Sequence, residues 1–183
     1  MRFPDVQSVA LPATFVEFRP GRLHPSGMRY LPLIVLRLAD GVMLGVVDRH
    51  HRVEAADIGQ AGTVRLIFQL SLIQEQPPGQ QVAAITPGAH ERGEFSIEPL
   101  VFGQIAALHT WEQHRKLGYE SVYTEMLLQV GPGTVGLRTT ITGDDLDEAI
   151  GANRLREGAW IKLENSRIDI LEFVPERERR SSQ

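Results

Sequence analysis

The sequence predicts a mainly-β protein made of two small barrel-like halves, each with a short helix before its closing strands. Three observations predict it. Val64, Leu66, Phe68, Leu70 and Leu72 recur at period two, which puts one apolar row on one face of a strand. Two turns, Asp40-Gly41 and Gly131-Pro132-Gly133, each separate a pair of apolar or β-branched runs, the signature of a hairpin. A constant shift of 92 lays the first half on the second, so that Asp40-Gly41 falls on Pro132-Gly133, and Gly62 meets Gly158 after a four-residue insertion.

Taken in order, residues 1–12 carry Pro4 and Pro12 and predict an extended arm. Ala13–Phe18 is rich in β-formers and predicts a strand. Residues 19–29 hold Pro20, Gly21, Pro25 and Gly27 and predict a loop. Tyr30–Ala39 and Val42–Val47 flank Asp40-Gly41 as a hairpin, and a helical turn or two is expected between Val53 and Ile58. Residues 63–75 predict one uninterrupted strand. The first domain is thus 13–75. Residues 76–100, with Pro77, Pro78, Gly79, Pro87, Gly88, Gly93 and Pro99, read as a linker.

The second domain, 101–174, repeats the order. Val101–Leu108 predicts a strand, 109–120 a polar loop, and Ser121–Val130 and Thr134–Ile141 a hairpin. A helix is expected over Asp144–Arg156, with acidic residues at its start and Arg154 and Arg156 in its last turn, both favoured by the helix dipole. Ala159–Leu163 and Arg167–Val174 read as a closing hairpin around Glu164-Asn165-Ser166, and 175–183 as a frayed charged tail.

This order of strand, long loop, hairpin, helix and final strands resembles the OB-fold, a five-stranded small barrel with a helix between its third and fourth strands. The resemblance covers roughly residues 13–75 and 101–174. It is strongest over Gly158–Glu172 and weakest over 63–75, where no internal turn divides the fourth strand from a fifth. It implies a fold and no activity.

Composition narrows the function classes. The apolar content of 42% suffices for a packed core, and the absence of cysteine removes disulfides and thiolate metal sites. No apolar run reaches the length of a membrane span, and the start lacks a signal-peptide core, so a cytoplasmic protein without membrane attachment is expected. Residues 1–90 carry eight Arg against seven acidic residues, whereas 91–183 carry eleven Lys and Arg against sixteen, so the chain has no general basic footprint for duplex DNA.

Gly131–Gly136 matches G-x-G-x-x-G, but β-prone residues follow where a pyrophosphate site needs a helix N-terminus. It therefore reads as a turn, and no cofactor is expected. His24, His50, His51, His90, His109 and His114 lack helical zinc spacing, and no metal is expected. Asp144, Asp145, Asp147 and Glu148 suit a helix start better than catalysis, and no catalytic motif is present. The remaining candidates are Arg19, Arg22, Arg29, Tyr30, Arg37 and Arg65 in the first half, an Arg and aromatic set of the kind that holds single strands by phosphate contact and base stacking. The leading expectation is a non-enzymatic binding or scaffold protein, acting as a homo-oligomer or with a protein partner through open strand edges. The alternative is a single-stranded nucleic-acid-binding protein using that Arg/aromatic face.

Overall fold

The computed structural model describes residues 8–89, 91–114, 120–139 and 155–176. The helix expected over Asp144–Arg156 lies outside these residues up to 154, and Leu155 and Arg156 are not helical; its acidic cluster, His90 and the tail beyond Glu176 also lie outside. Eleven strands form among the described residues: β1 (Leu11–Arg19), β2 (Leu33–Leu38), β3 (Met43–Val47), β4 (Ala61–Gln69), β5 (Leu72–Glu75), β6 (Ala84–Thr86), β7 (Leu100–His114), β8 (Glu120–Gln129), β9 (Thr134–Thr139), β10 (Trp160–Glu164) and β11 (Arg167–Pro175).

Five of them close a barrel. β1 pairs with β2, β2 with β3, β3 with β11, β11 with β4, and β4 returns to β1. All contacts in the ring are antiparallel except β3 with β11, which run parallel at Val47 and Asp169. The alternation read in the sequence fills the interior: Phe15, Leu36, Leu44, Val64, Leu66 and Ile170 are fully buried in one core, and the Phe15 ring meets Phe173 edge-on at 5.8 Å. Register shifts near Val16 on β1 and near Leu171 on β11 mark bulges, which supply the bend a small barrel needs at its corners. The β2–β3 turn sits at Asp40-Gly41 as expected, with Leu38 N–H donating to Val42 O and Gly41 N–H to Leu38 O.

Two independent halves are not what the sheet contains. From the other edge of β4 the sheet continues through β9, β8, β7 and β10 to β5, which is the next stretch of chain after β4. β4 is accordingly buried on both faces from Gly62 to Phe68. The expected strand over 63–75 bends at Leu70, whose φ is 57°, and the bend breaks the period-two row: Val64, Leu66 and Phe68 are buried, but Leu70 and Leu72 are exposed and Ile73 turns inward instead. The expected closing hairpin bends at Asn165 (φ 53°), and its two strands do not pair with each other. β11 goes to β4 and β3, and β10 goes to β5 and β7. The two bends lie opposite each other between the β4–β11 and β5–β10 ladders, joined by a 2.7 Å hydrogen bond between the Ser71 and Ser166 hydroxyls.

Three further expectations change. The first half's helix is a single 3-10 turn, Ala55–Asp57. Its loop is pinned at both ends, by N–H groups of His50, Arg52 and Val53 on the buried Asp48 carboxylate and by Gly59 N–H on Phe15 O, which leaves no length for a longer helix. The polar stretch 109–114 is strand, because the β7–β8 ladder extends to His114 and Glu120 and backbone pairing overrides side-chain polarity. Residues 76–100 carry β6, which pairs with β7, and a strap that reaches β3.

Because β11 closes the barrel, a chain ending at Glu164 should lose its cooperative thermal transition and near-UV circular dichroism. A variant that keeps both would refute the closure. Ile170→Ala, which empties a fully buried site between β3 and β4, should cost about 2–5 kcal/mol in chemical denaturation.

Candidate functional site

Between Glu17 and Asp40 the chain has four Arg and no acidic residue. The middle of that stretch, the β1–β2 loop, folds back as a small finger. Tyr30 N–H donates to Arg22 O, His24 N–H to Met28 O and Gly27 N–H to His24 O, with Leu23 bridged to Arg29. The base depends on Gly21: a Cβ there would lie 1.6 Å from the Tyr30 carbonyl oxygen, so any other residue forces the two sides apart. The finger carries its apolar side chains outward. Tyr30 is 60% exposed, and Leu23 and Met28 are more exposed still. His24 packs edge-on against the Tyr30 ring at 5.6 Å and holds the Ser26 hydroxyl at 2.7 Å. Arg22 and Arg29 are exposed on the same finger, Arg29 reaching only the Gly21 carbonyl at 3.4 Å.

The six residues singled out in the sequence thus separate into groups. Arg22, Arg29 and Tyr30 come together. Arg19 stands at the foot of the finger, where it is already engaged: its Nε and Nη2 donate to Glu17 at 2.7 and 2.8 Å, and its guanidinium lies 4.9 Å from the centre of the Phe95 ring. The Arg19 hydrogen bond, with a smaller charge attraction, holds the Glu17 carboxyl below its ordinary range despite the opposing cost of burial. Arg37 is exposed but opposes Thr14, four residues along β2 from the Leu33–Arg19 pair, about 13 Å away at ordinary strand rise. Arg65 is 7% exposed, with Nε on Glu172 at 2.7 Å and Nη1 on the Val9 carbonyl at 2.9 Å. It braces β4 against β11 and the N-terminal arm and is not presented with the others.

Residues 91–98, tied to Gly88, form a strap over β3. Gly45 N–H donates to Ser96 O and Ser96 N–H to Met43 O, while Phe95 lies on Gly45 so closely that a Cβ there would meet the ring at 2.5 Å. Glu91 organises the strap. Its carboxylate accepts from the N–H groups of Gly88, Ile97 and Glu98 and from the Ser96 hydroxyl. Burial opposes ionisation of Glu91, but those donors together outweigh it and hold its carboxyl below the ordinary value of 4.5.

Beside the strap lies a groove of about 600 Å³, walled by β3, Phe95, Ile97 and the Asn165–Ile168 segment. Arg49 and Arg167 both face it and both bind Asp169, which is 4% exposed: Arg49 Nε at 3.0 Å and Arg167 Nη2 at 3.1 Å. Gln69 completes the cluster, donating to Asp169 at 2.6 Å and accepting from Arg167 at 2.6 Å. Neither Arg49, Arg167 nor Phe95 was legible as a site in the sequence. They lie far apart in the chain and meet only through the parallel Val47–Asp169 contact.

The G-x-G-x-x-G stretch is the β8–β9 turn, with Val130 N–H on Gly133 O and a strand following it. Among the described residues no group of three or more His, Cys, Asp or Glu is placed to hold a metal ion, and no helix is long and apolar enough to cross a membrane. The chain matches no protein-family model, no curated protein and no solved structure.

Gly21→Ala should loosen the finger without unfolding the barrel, seen as faster amide exchange at Tyr30 and His24 with an almost unchanged melting temperature. The strap should open in acid. A carboxyl whose value is lowered by folding stabilises fully above about pH 4.5, and that contribution is lost as pH falls through the lower, folded value. Amide exchange at Ile97 and Glu98 should therefore accelerate below that pH, and Glu91→Gln should remove the pH dependence by leaving the strap open throughout.

Proposed function

We propose that this chain binds single-stranded nucleic acid, with the β1–β2 finger as its principal contact. The observation that carries the reading is the joint exposure of Arg22, Arg29 and Tyr30 on a loop with no acidic residue of its own. Phosphates are held by Arg without regard to sequence, and an exposed aromatic ring offers every base a stacking face.

The barrel supports the same reading. Counted along the chain, its strands follow each other round the ring as first, second, third, fifth and fourth, with a short helical turn between the third and fourth. We read this as an OB-type Greek-key barrel whose fifth strand, β11, arrives from the far end of the sequence. In OB barrels the loop between strands one and two, and the face of strands two and three, are where oligonucleotides bind; here those are the finger and the β2–β3 surface beside the strap. The path from β4 through β9, β8, β7 and β10 to β5 is read as a second, similar ring, which would make the protein a tandem pair exchanging its final strands.

A second reading, assembly with another protein chain, is favoured by one observation: Leu70, Leu72 and Val82 are each half-exposed or more. Closure of the first barrel counts against the strand-edge version of that reading, since a closed ring has no free edge.

Fluorescence anisotropy with a labelled oligothymidylate of roughly 12 nucleotides, within the range one OB barrel spans, tests the proposal. Binding should weaken linearly in log–log salt plots. Arg22→Glu with Arg29→Glu should weaken it for every base composition alike, and Tyr30→Ala should cost about 1–3 kcal/mol. No binding at low salt and tens of micromolar protein, the weak end of non-specific affinity, would end the proposal. A concentration-dependent mass in light scattering would then favour assembly.

A further inference from the structure

We infer that the groove between β3 and the Asn165 bend is a nucleotide subsite, holding one backbone phosphate on Arg49 and Arg167 and its base against Phe95 and Ile97. The inference rests on the single-strand reading and extends it to residues outside the finger.

The charge arrangement points to an anion. Asp169 takes one hydrogen bond from each of two guanidinium groups, so two positive charges share one buried negative charge. Arg49 commits only Nε, and among the described residues its two terminal nitrogens have no protein partner. Arg167 commits Nη2, and its Nε is buried with no acceptor at all. An unfulfilled guanidinium N–H is costly to bury, and a phosphate oxygen arriving at this pair would meet donors fixed in place by Asp169 and Gln69. Both Arg side chains remain 38% exposed and line the groove, so a ligand there reaches the two guanidinium groups, with the Arg167 Nε itself beneath their surface.

The opposite wall is apolar. Phe95 lies against the backbone at Gly45, and Ile97 is 53% exposed. A flat ring with a phosphate attached matches this pairing of walls; a simple anion would leave the apolar wall unused, and an apolar ligand would leave the guanidinium groups unused. The groove's volume accommodates one nucleotide. It also adjoins the foot of the finger, because the Phe95 ring that lines it is the one under Arg19. A strand lying on Tyr30 would pass Arg19 and enter the groove. Glu98 stands on the rim and opposes a phosphate there.

The oligothymidylate titration distinguishes this subsite from the finger. Arg49→Gln leaves Asp169 with Arg167 and Gln69, so the fold is retained, which an unchanged melting temperature verifies. The variant should bind roughly tenfold more weakly, the loss of a charge-assisted contact, with a salt slope shallower by about 0.7, the value for one single-strand phosphate. Phe95→Leu should weaken binding with the salt slope unchanged, and Glu98→Gln should strengthen it. If wild-type protein binds and Arg49→Gln retains full affinity and slope, the subsite is refuted while the finger stands. If thymidine 5′-monophosphate displaces the oligonucleotide at equal concentration, the groove serves free nucleotides, and its place on a strand's path is overturned. If wild-type protein binds nothing, the single-strand reading falls and the subsite with it.

Discussion

Residues 11–69 supply only four strands of the five-stranded barrel, and four strands leave β3 and β4 with unpaired edges facing one another across a gap. β11 fills that gap, antiparallel to β4 over most of its length and parallel to β3 at a single contact. Every unpaired backbone group it satisfies would otherwise be an invitation to aggregation. The closure spans nearly the whole sequence, so its loop entropy is offset only when Phe173, Ile170 and Ile168 bury themselves in the core begun by Phe15 and Leu36.

The rest of the architecture follows from where β11 comes from. To reach β4, the chain must leave β10, and it does so at Asn165 with a left-handed residue; β4 leaves the same region at Leu70 in the same backbone conformation. Asn tolerates that region, whereas Leu there carries a steric cost that the surrounding pairing must outweigh. The Ser71–Ser166 hydrogen bond fastens the two bends together. β4 becomes the shared wall of the molecule, which is why its burial pattern lacks the alternation of β1.

The same crossing decides which charges are available. Asp169 enters next to β3 because β11 pairs there, and so it draws Arg49 and Arg167 into one cluster beside the strap. Arg65, facing β11 from β4, is consumed by Glu172 and the Val9 carbonyl. Arg22 and Arg29 ride on a loop with no acidic residue of its own and stay exposed. All five are the same amino acid in sequence; position relative to the crossing makes two of them exposed, two shared and one buried.

The sequence by itself determined the local elements: strand at 13–18 and through the first part of 63–75, the hairpin at Asp40-Gly41, the turn at Gly131–Gly133 and the breaks at Gly158 and Glu164–Ser166. It also placed Arg22 and Arg29 on one loop, because neighbours within a dozen residues share a turn whatever the fold does; Tyr30, expected to open the next strand, joins that loop because β2 starts only at Leu33. These features are written in period-two alternation and turn chemistry, which act over a few residues. The tertiary structure alone decided that β11, from the far end of the described chain, closes the ring of β1 to β4, that Gly158–Glu172 contains no hairpin, that Arg65 is buried, and that Arg49 meets Arg167. Strand pairing is non-local and backbone hydrogen bonds are the same for every residue, so a period-two pattern says which face of a strand is buried but not which strand lies beside it.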